Sequence, residues 1–240
     1  MVRTVCVTGA ARGLGLALTA QMLKRGYIVY AAGLDMESSE GIRLLVQAYP
    51  KHLRVIELDI ADDLSVALFT ETIKLDTDRL DMLINNAAIL GNITDHVRGP
   101  LNFAEMAEVF NVNTLGSLRV THALLPLLLA GAGKLIVNIS SEAGSIEQCD
   151  RHGWFAYCMS KSALNMQARL VHNGIKDEGG QVMLIHPGWV QSYMSGELNT
   201  AADLTPEQSA QHIAALIDRH KEFMGDQPAY VDYKGDELPW

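Results

Sequence analysis

At 240 residues, 48% of them hydrophobic and 20% charged, the chain can bury one large α/β core without disulfide or metal support, two small domains being the alternative. A formal net charge of −9 with no Lys/Arg block argues against a polyanion-binding surface and against nucleic acid as a partner. The three cysteines, Cys6, Cys149 and Cys158, form no CxxC pair, and the N-terminus lacks the layout of a signal peptide, which points to the cytoplasm. The longest apolar stretch, residues 123–133, contains Pro126 and is too short to cross a bilayer, so no membrane contact is expected.

In chain order, Val- and Ile-rich runs at 4–8, 27–32, 53–59, 82–85, 135–140 and 182–186 lack polar alternation and are expected to be strands buried on both faces. Amphipathic stretches at 15–25, 41–48, 63–75, 104–130 and 156–173 lie between them. This βαβα alternation predicts a Rossmann-type doubly wound parallel sheet, a three-layer α/β/α sandwich. It reads as one domain, with a cofactor half at about 1–140 and a catalytic and substrate part at about 141–240. After Pro187 a polar loop precedes a helix that starts at Thr205-Pro206, with Thr205 as N-cap, and runs to about Phe223. Residues 230–233 form a candidate last strand.

Two motifs carry chemistry. Thr8-Gly9-Ala10-Ala11-Arg12-Gly13-Leu14-Gly15 follows the first strand and opens the first helix. Gly9 allows a tight turn, Gly13 lets the backbone approach a pyrophosphate, and Gly15 lets helix pack on sheet, with the helix N-terminus facing the phosphates. An ordinary structural turn is the bland reading. Tyr157 and Lys161 stand one helical turn apart on one helix face. A free phenol titrates near about 10; an adjacent ammonium favours phenolate and is expected to lower that value, giving a proton donor and acceptor.

Together these motifs resemble the short-chain dehydrogenase/reductase family. Asn85-Asn86-Ala87-Ala88, Asn113 within Asn111-Val112-Asn113-Thr114-Leu115-Gly116, Ser140-Ser141, Pro187-Gly188-Trp189-Val190 and Asp59 extend the resemblance over residues 3 to about 192. Within the family the chain is most similar to C-factor and sniffer-type carbonyl reductases, through Ser160-Lys161-Ser162-Ala163-Leu164-Asn165, His186-Pro187-Gly188-Trp189-Val190 and Tyr233-Lys234-Gly235. The resemblance implies hydride transfer between NADP(H) or NAD(H) and a carbonyl or secondary alcohol. Tyr157 would be the acid/base, with Ser141 on the substrate oxygen. Lys161 would hold the nicotinamide ribose and lower the Tyr157 pKa. Asn113 would hold a water that relays protons. Leu14, Asn86, Ala87, Pro187, Gly188, Val190 and Ser192 would line the dinucleotide together with the glycines, Tyr157 and Lys161, and Asp59 would face the adenine.

The chain departs from the family pattern at three places. Ala88 replaces a glycine and would be strained at positive φ; residues 148–154 form a long interval before Tyr157; Ser192 stands for a threonine. The second strand ends without the Asp that favours NAD, as Gly33, or the following Arg that favours NADP, as Leu34. Arg12 is the remaining cation, so NADP(H) is favoured over NAD(H). Trp154, Phe155, Trp189, Tyr193 and Met194 are candidates for an apolar substrate wall, His152 for a substrate contact. The eight histidines form no metal motif. Helices apolar on more than one face predict a homodimer or homotetramer. A nucleotide-bound signalling protein with little turnover is the alternative function.

Overall fold

Runs of β-branched and aliphatic residues form seven strands in the computed structural model, which describes residues 2–240. They are β1 (Thr4–Thr8), β2 (Ile28–Gly33), β3 (Leu53–Glu57), β4 (Met82–Asn85), β5 (Leu135–Ile139), β6 (Gln181–His186) and β7 (Ala229–Asp232). All pair in parallel in the order β3-β2-β1-β4-β5-β6-β7. Helices α1 (Gly13–Lys24), α2 (Glu40–Ala48), α3 (Asp63–Asp76), α4 (Phe103–Phe110), α5 (Ser117–Ala130), α6 (Phe155–Ile175) and α7 (Pro206–Asp218) connect them. No described helix is long and apolar enough to cross a membrane.

The period-two geometry of each strand divides the core in two. Val5, Val7, Val137, Met183 and Ile185 pack with Leu18 and Met22 of α1 and Ile213 and Ile217 of α7. Their neighbours Cys6, Ile136, Val182 and Leu184 face the opposite layer, with Phe69 and Ile73 of α3, Leu124 and Leu128 of α5, and Leu164 and Ala168 of α6. These two apolar layers make the expected three-layer sandwich.

Three expectations need correction. The third strand is shorter than expected, ends at Glu57, and after buried Leu53 alternates between part-buried and exposed residues. It is the edge of the sheet, so one side of it has no neighbouring strand. The single helix expected over 104–130 is instead α4, a π-helical turn (Asn111–Gly116) and α5. Such turns insert a residue into the helical ladder and gather at functional sites. Here Gly116 packs so closely on Ile60 that a side chain would overlap it, and Arg119 donates to the Asn111 carbonyl and side-chain oxygen. Beyond β6 the last helix stops at Asp218, and His220–Phe223 form a separate 3-10 turn. Thr205 and Gln208 close a reciprocal capping box at its start, as the Thr205-Pro206 signal implied.

Candidate active site

Strand order reverses between β1 and β4, and a doubly wound sheet opens a crevice at the carboxyl ends of such a pair. The glycine loop lies there. Gly9 takes φ 65° and Gly13 φ 55°, left-handed values that suit glycine. A side chain on Gly15 would run into the Gly9 carbonyl, whereas one on Gly13 would meet open space. The loop is stitched to β4: Thr8 Oγ1 accepts from the Asn86 and Ala87 amides at 3.0 and 3.2 Å, and Asn86 Nδ2 donates to the Thr8 and Gly9 carbonyls at 2.9 and 3.2 Å. No side chain caps α1, so its first amides face the crevice with the positive end of the helix dipole. This open, uncapped cradle fits a dinucleotide diphosphate. Ala88 is not among the residues with positive φ, so its methyl is accommodated without the strain considered from sequence.

The end of β5 and the head of α6 carry the candidate reacting groups. Ser141 is buried just beyond β5 and accepts the Ala143 amide at 3.1 Å. Its hydroxyl also bears on the Tyr157 phenol and opposes the main influence there, burial, which pushes Tyr157 up to about 12. Lys161 is buried; its Nζ donates to the Ile139 carbonyl at 2.9 Å and lies 5.5 Å from the Tyr157 ring centroid. Burial lowers Lys161 to about 8. The Tyr157 pKa in the free protein moves opposite to the expectation: burial is the largest influence and raises the phenol, because desolvation disfavours its charged form, and burial lowers Lys161 as well.

Asn113 rides on the π-helical turn. Its side chain is fully engaged: Nδ2 donates to the Ile89 carbonyl (2.9 Å) and Ser160 Oγ (3.0 Å), and Oδ1 accepts the Ile89 amide (2.8 Å). Ser160 Oγ in turn donates to the Tyr157 carbonyl at 2.8 Å. A short chain of bonds thus ties the turn to the first turn of α6. Sequence reasoning missed Ser160, and it missed Tyr230. The Tyr230 hydroxyl donates to the Ser141 carbonyl at 2.6 Å from β7, 89 positions away. No local signal marks such a contact.

The remaining candidates lie around this centre. Gly188 has φ 80° and packs against Leu204 and Tyr233; Val190 bridges Leu204, and the Pro187 carbonyl accepts Ser209 Oγ at 2.7 Å. Ser192 sits on the following loop with its hydroxyl 3.5 Å from the Met194 amide. Asp59 accepts the Ala61 amide at 2.8 Å and so holds the turn after β3. Arg12 is exposed beside Gly13, and Leu14 is part-buried at the first turn of α1. Of the wall candidates, Trp154 and Phe155 are part-buried at the head of α6, while Trp189, Tyr193 and Met194 are exposed; His152 is exposed.

Comparison with known proteins agrees with this geometry. Residues 3–203 match the short chain dehydrogenase family. The C-signal protein of Myxococcus xanthus is 39% identical over 165 residues, covering 68% of this chain and 95% of that protein. The carbonyl reductase Sniffer of D. melanogaster superposes with a TM-score of 0.90 at 25% identity, covering 100% of both chains. A short-chain dehydrogenase/reductase from Burkholderia multivorans with bound NADP superposes with a TM-score of 0.88 at 27% identity, again over 100% of both chains. The chain belongs to the short-chain dehydrogenase/reductase family and is an NAD(P)-dependent oxidoreductase.

Proposed function

We propose that the protein reduces a carbonyl to an alcohol, with Tyr157 as proton donor and NADP(H) preferred over NAD(H). One observation carries the reading: Ser141, Tyr157 and Lys161 converge at the carboxyl end of the sheet beside an uncapped helix. A bound nicotinamide dinucleotide supplies the hydride. The glycine loop, with Leu14, Asn86 and Ala87 around it, would hold its diphosphate. Asp59 would lie toward the adenine, and Pro187, Gly188, Val190 and Ser192 toward the nicotinamide.

Negative charge grows on the substrate oxygen as its carbon is reduced. The phenol of Tyr157 and the hydroxyl of Ser141 are two donors placed to meet it. A phenol held up near about 12 keeps its proton throughout the neutral range, which suits it to donate. The phenolate left behind faces the Lys161 ammonium, whose charge stabilises it. Both polar atoms of the Asn113 side chain are committed to Ile89 and Ser160, so we assign its relay water to the main-chain carbonyl.

The NADP(H) preference rests on Arg12, on the missing carboxylate at Gly33, and on Glu57. The Glu57 carboxylate is spent on the Asp35 and Met36 amides at 2.8 and 3.2 Å, which keeps it occupied within the loop after β2. The bound NADP of the Burkholderia relative supports the same choice. Exposed Leu115, Leu118, Met166 and Leu170, from the π-helical turn, α5 and α6, support a homodimer or homotetramer. A cytoplasmic setting and one functional domain complete the reading. The signalling alternative is not favoured, because Ser141, Tyr157 and Lys161 are all present and assembled.

The test is fluorescence titration with NADPH and NADH, then nicotinamide absorbance against a panel of aldehydes and ketones. NADPH should bind about tenfold more tightly, a difference of about 1.4 kcal/mol, and at least one carbonyl should be consumed. Binding of neither dinucleotide would overturn the proposal.

A further inference from the structure

Residue 154 is an unusual place for tryptophan. It is the N-cap of α6 with φ 65° and ψ 29°, a left-handed conformation that bulky side chains avoid. No side-chain bond caps the helix there, although Ser, Thr, Asp or Asn would supply one. The preceding residue, Gly153, does not take the left-handed turn; it touches the Asp95 carbonyl of the facing loop so closely that a side chain would overlap it.

The Arg151 guanidinium lies 5.3 Å over the indole and is pinned by Glu142, with Arg151 Nη2 to Glu142 Oε1 at 2.8 Å. Glu142 directly follows Ser141 in the sequence. The indole then stands 6.2 Å from the Tyr157 ring at 71°. Glu142, Arg151, Trp154 and Tyr157 thus form a chain of contacts that starts next to Ser141. Trp154 and Tyr157 are both part-buried, so neither ring is wholly closed off from solvent. Trp154 and Arg151 also line an open depression of about 290 Å³ together with residues 93–96.

We infer that Trp154 is a specificity-determining residue that selects carbonyl compounds bearing a flat aryl group. Two aromatic planes near a right angle form a corner in which a third ring lies face-on to one and edge-on to the other, the arrangements aromatic rings prefer. A saturated chain of similar size gains no such match. The inference rests on the carbonyl-reducing reading above and names the substrate class of that same site.

The experiment compares acetophenone with 2-heptanone in the parent, Trp154→Gly, Trp154→Asn and Trp154→Phe proteins, with circular dichroism and NADPH titration on each. Gly and Asn both accept the left-handed backbone, so folding and NADPH binding should match the parent. The ratio of kcat/KM for acetophenone over 2-heptanone should fall roughly tenfold in both and return toward the parent in the Phe variant. An unchanged ratio, or equal losses on both ketones, would overturn the inference and leave Trp154 a helix cap. A parent that reduces neither ketone counts against the carbonyl reading. Calorimetric binding of acetophenone then decides the present one: loss in the Gly variant with retention in the Phe variant supports it, and equal binding in all four refutes it.

Discussion

The proposed dinucleotide cradle and the proposed substrate side of the cleft are built from different materials. The cradle is backbone: two left-handed glycines, a third glycine too crowded for any side chain, and an uncapped helix, all fastened by Thr8 and Asn86. The substrate side is side chain on loop: Trp154 in a strained turn, an Arg151–Glu142 pair, and exposed Trp189, Tyr193 and Met194. A diphosphate is the same for every substrate, so a rigid backbone surface serves it. Substrates differ, so the wall is placed on segments whose side chains can change without disturbing the sheet.

Substitutions can sharpen that contrast. The largest effect on dinucleotide binding should come from Gly15→Ala, whose methyl has nowhere to go beside the Gly9 carbonyl. The dissociation constant for NADPH should rise about 100-fold, or about 2.7 kcal/mol. Gly13→Ala meets open space and should cost only about 1 kcal/mol for its positive φ. Titration of both variants checks this, and equal losses would break the account of the cradle.

Lys161→Met comes next. Burial lowers Lys161 from the ordinary lysine value to about 8, so the folded protein binds this proton less readily than the unfolded chain does. The resulting penalty, about 3 kcal/mol, is fully present below about pH 8 and vanishes as pH rises toward about 10.4. Removing the donor to the Ile139 carbonyl costs about 1 kcal/mol. The Met variant should therefore be inactive yet about 2 kcal/mol more stable at pH 7. Denaturant melts from pH 7 to 10 should show that advantage shrinking; an advantage constant with pH would mean the ammonium is not the source.

Smaller effects follow at the rims. Arg12→Ala should weaken NADPH about tenfold and leave NADH unchanged, roughly 1.4 kcal/mol on one dinucleotide alone. Equal weakening of both would assign Arg12 to the shared diphosphate. Tyr230→Phe removes the hydroxyl that holds the Ser141 carbonyl, and should cost about 1 kcal/mol in melting experiments with a few-fold loss of kcat.

The same contrast explains what could be read from the sequence. The glycine loop, the Tyr157–Lys161 spacing and the strands buried on both faces are local patterns, and their physical causes lie within a few residues. The π-helical turn at Asn111–Gly116 was hidden inside an apolar run that reads as one continuous helix. The edge position of β3 depends on which strands pair, not on its own residues. Tyr230 and Ser160 act through partners brought near only by the finished fold. The raised Tyr157 pKa escaped for a related reason: the Lys161 spacing is visible in the sequence, but the burial that raises the phenol is a property of the assembled site.

In the proposed reaction the Tyr157 phenol gives the substrate its proton. The most direct measurement pairs NADPH binding with single-turnover carbonyl reduction in the parent and in Tyr157→Phe. Equal binding with a rate at least roughly a thousandfold lower in the variant is the predicted result, within the range expected when an acid/base group is removed. Equal rates in the two proteins would contradict it.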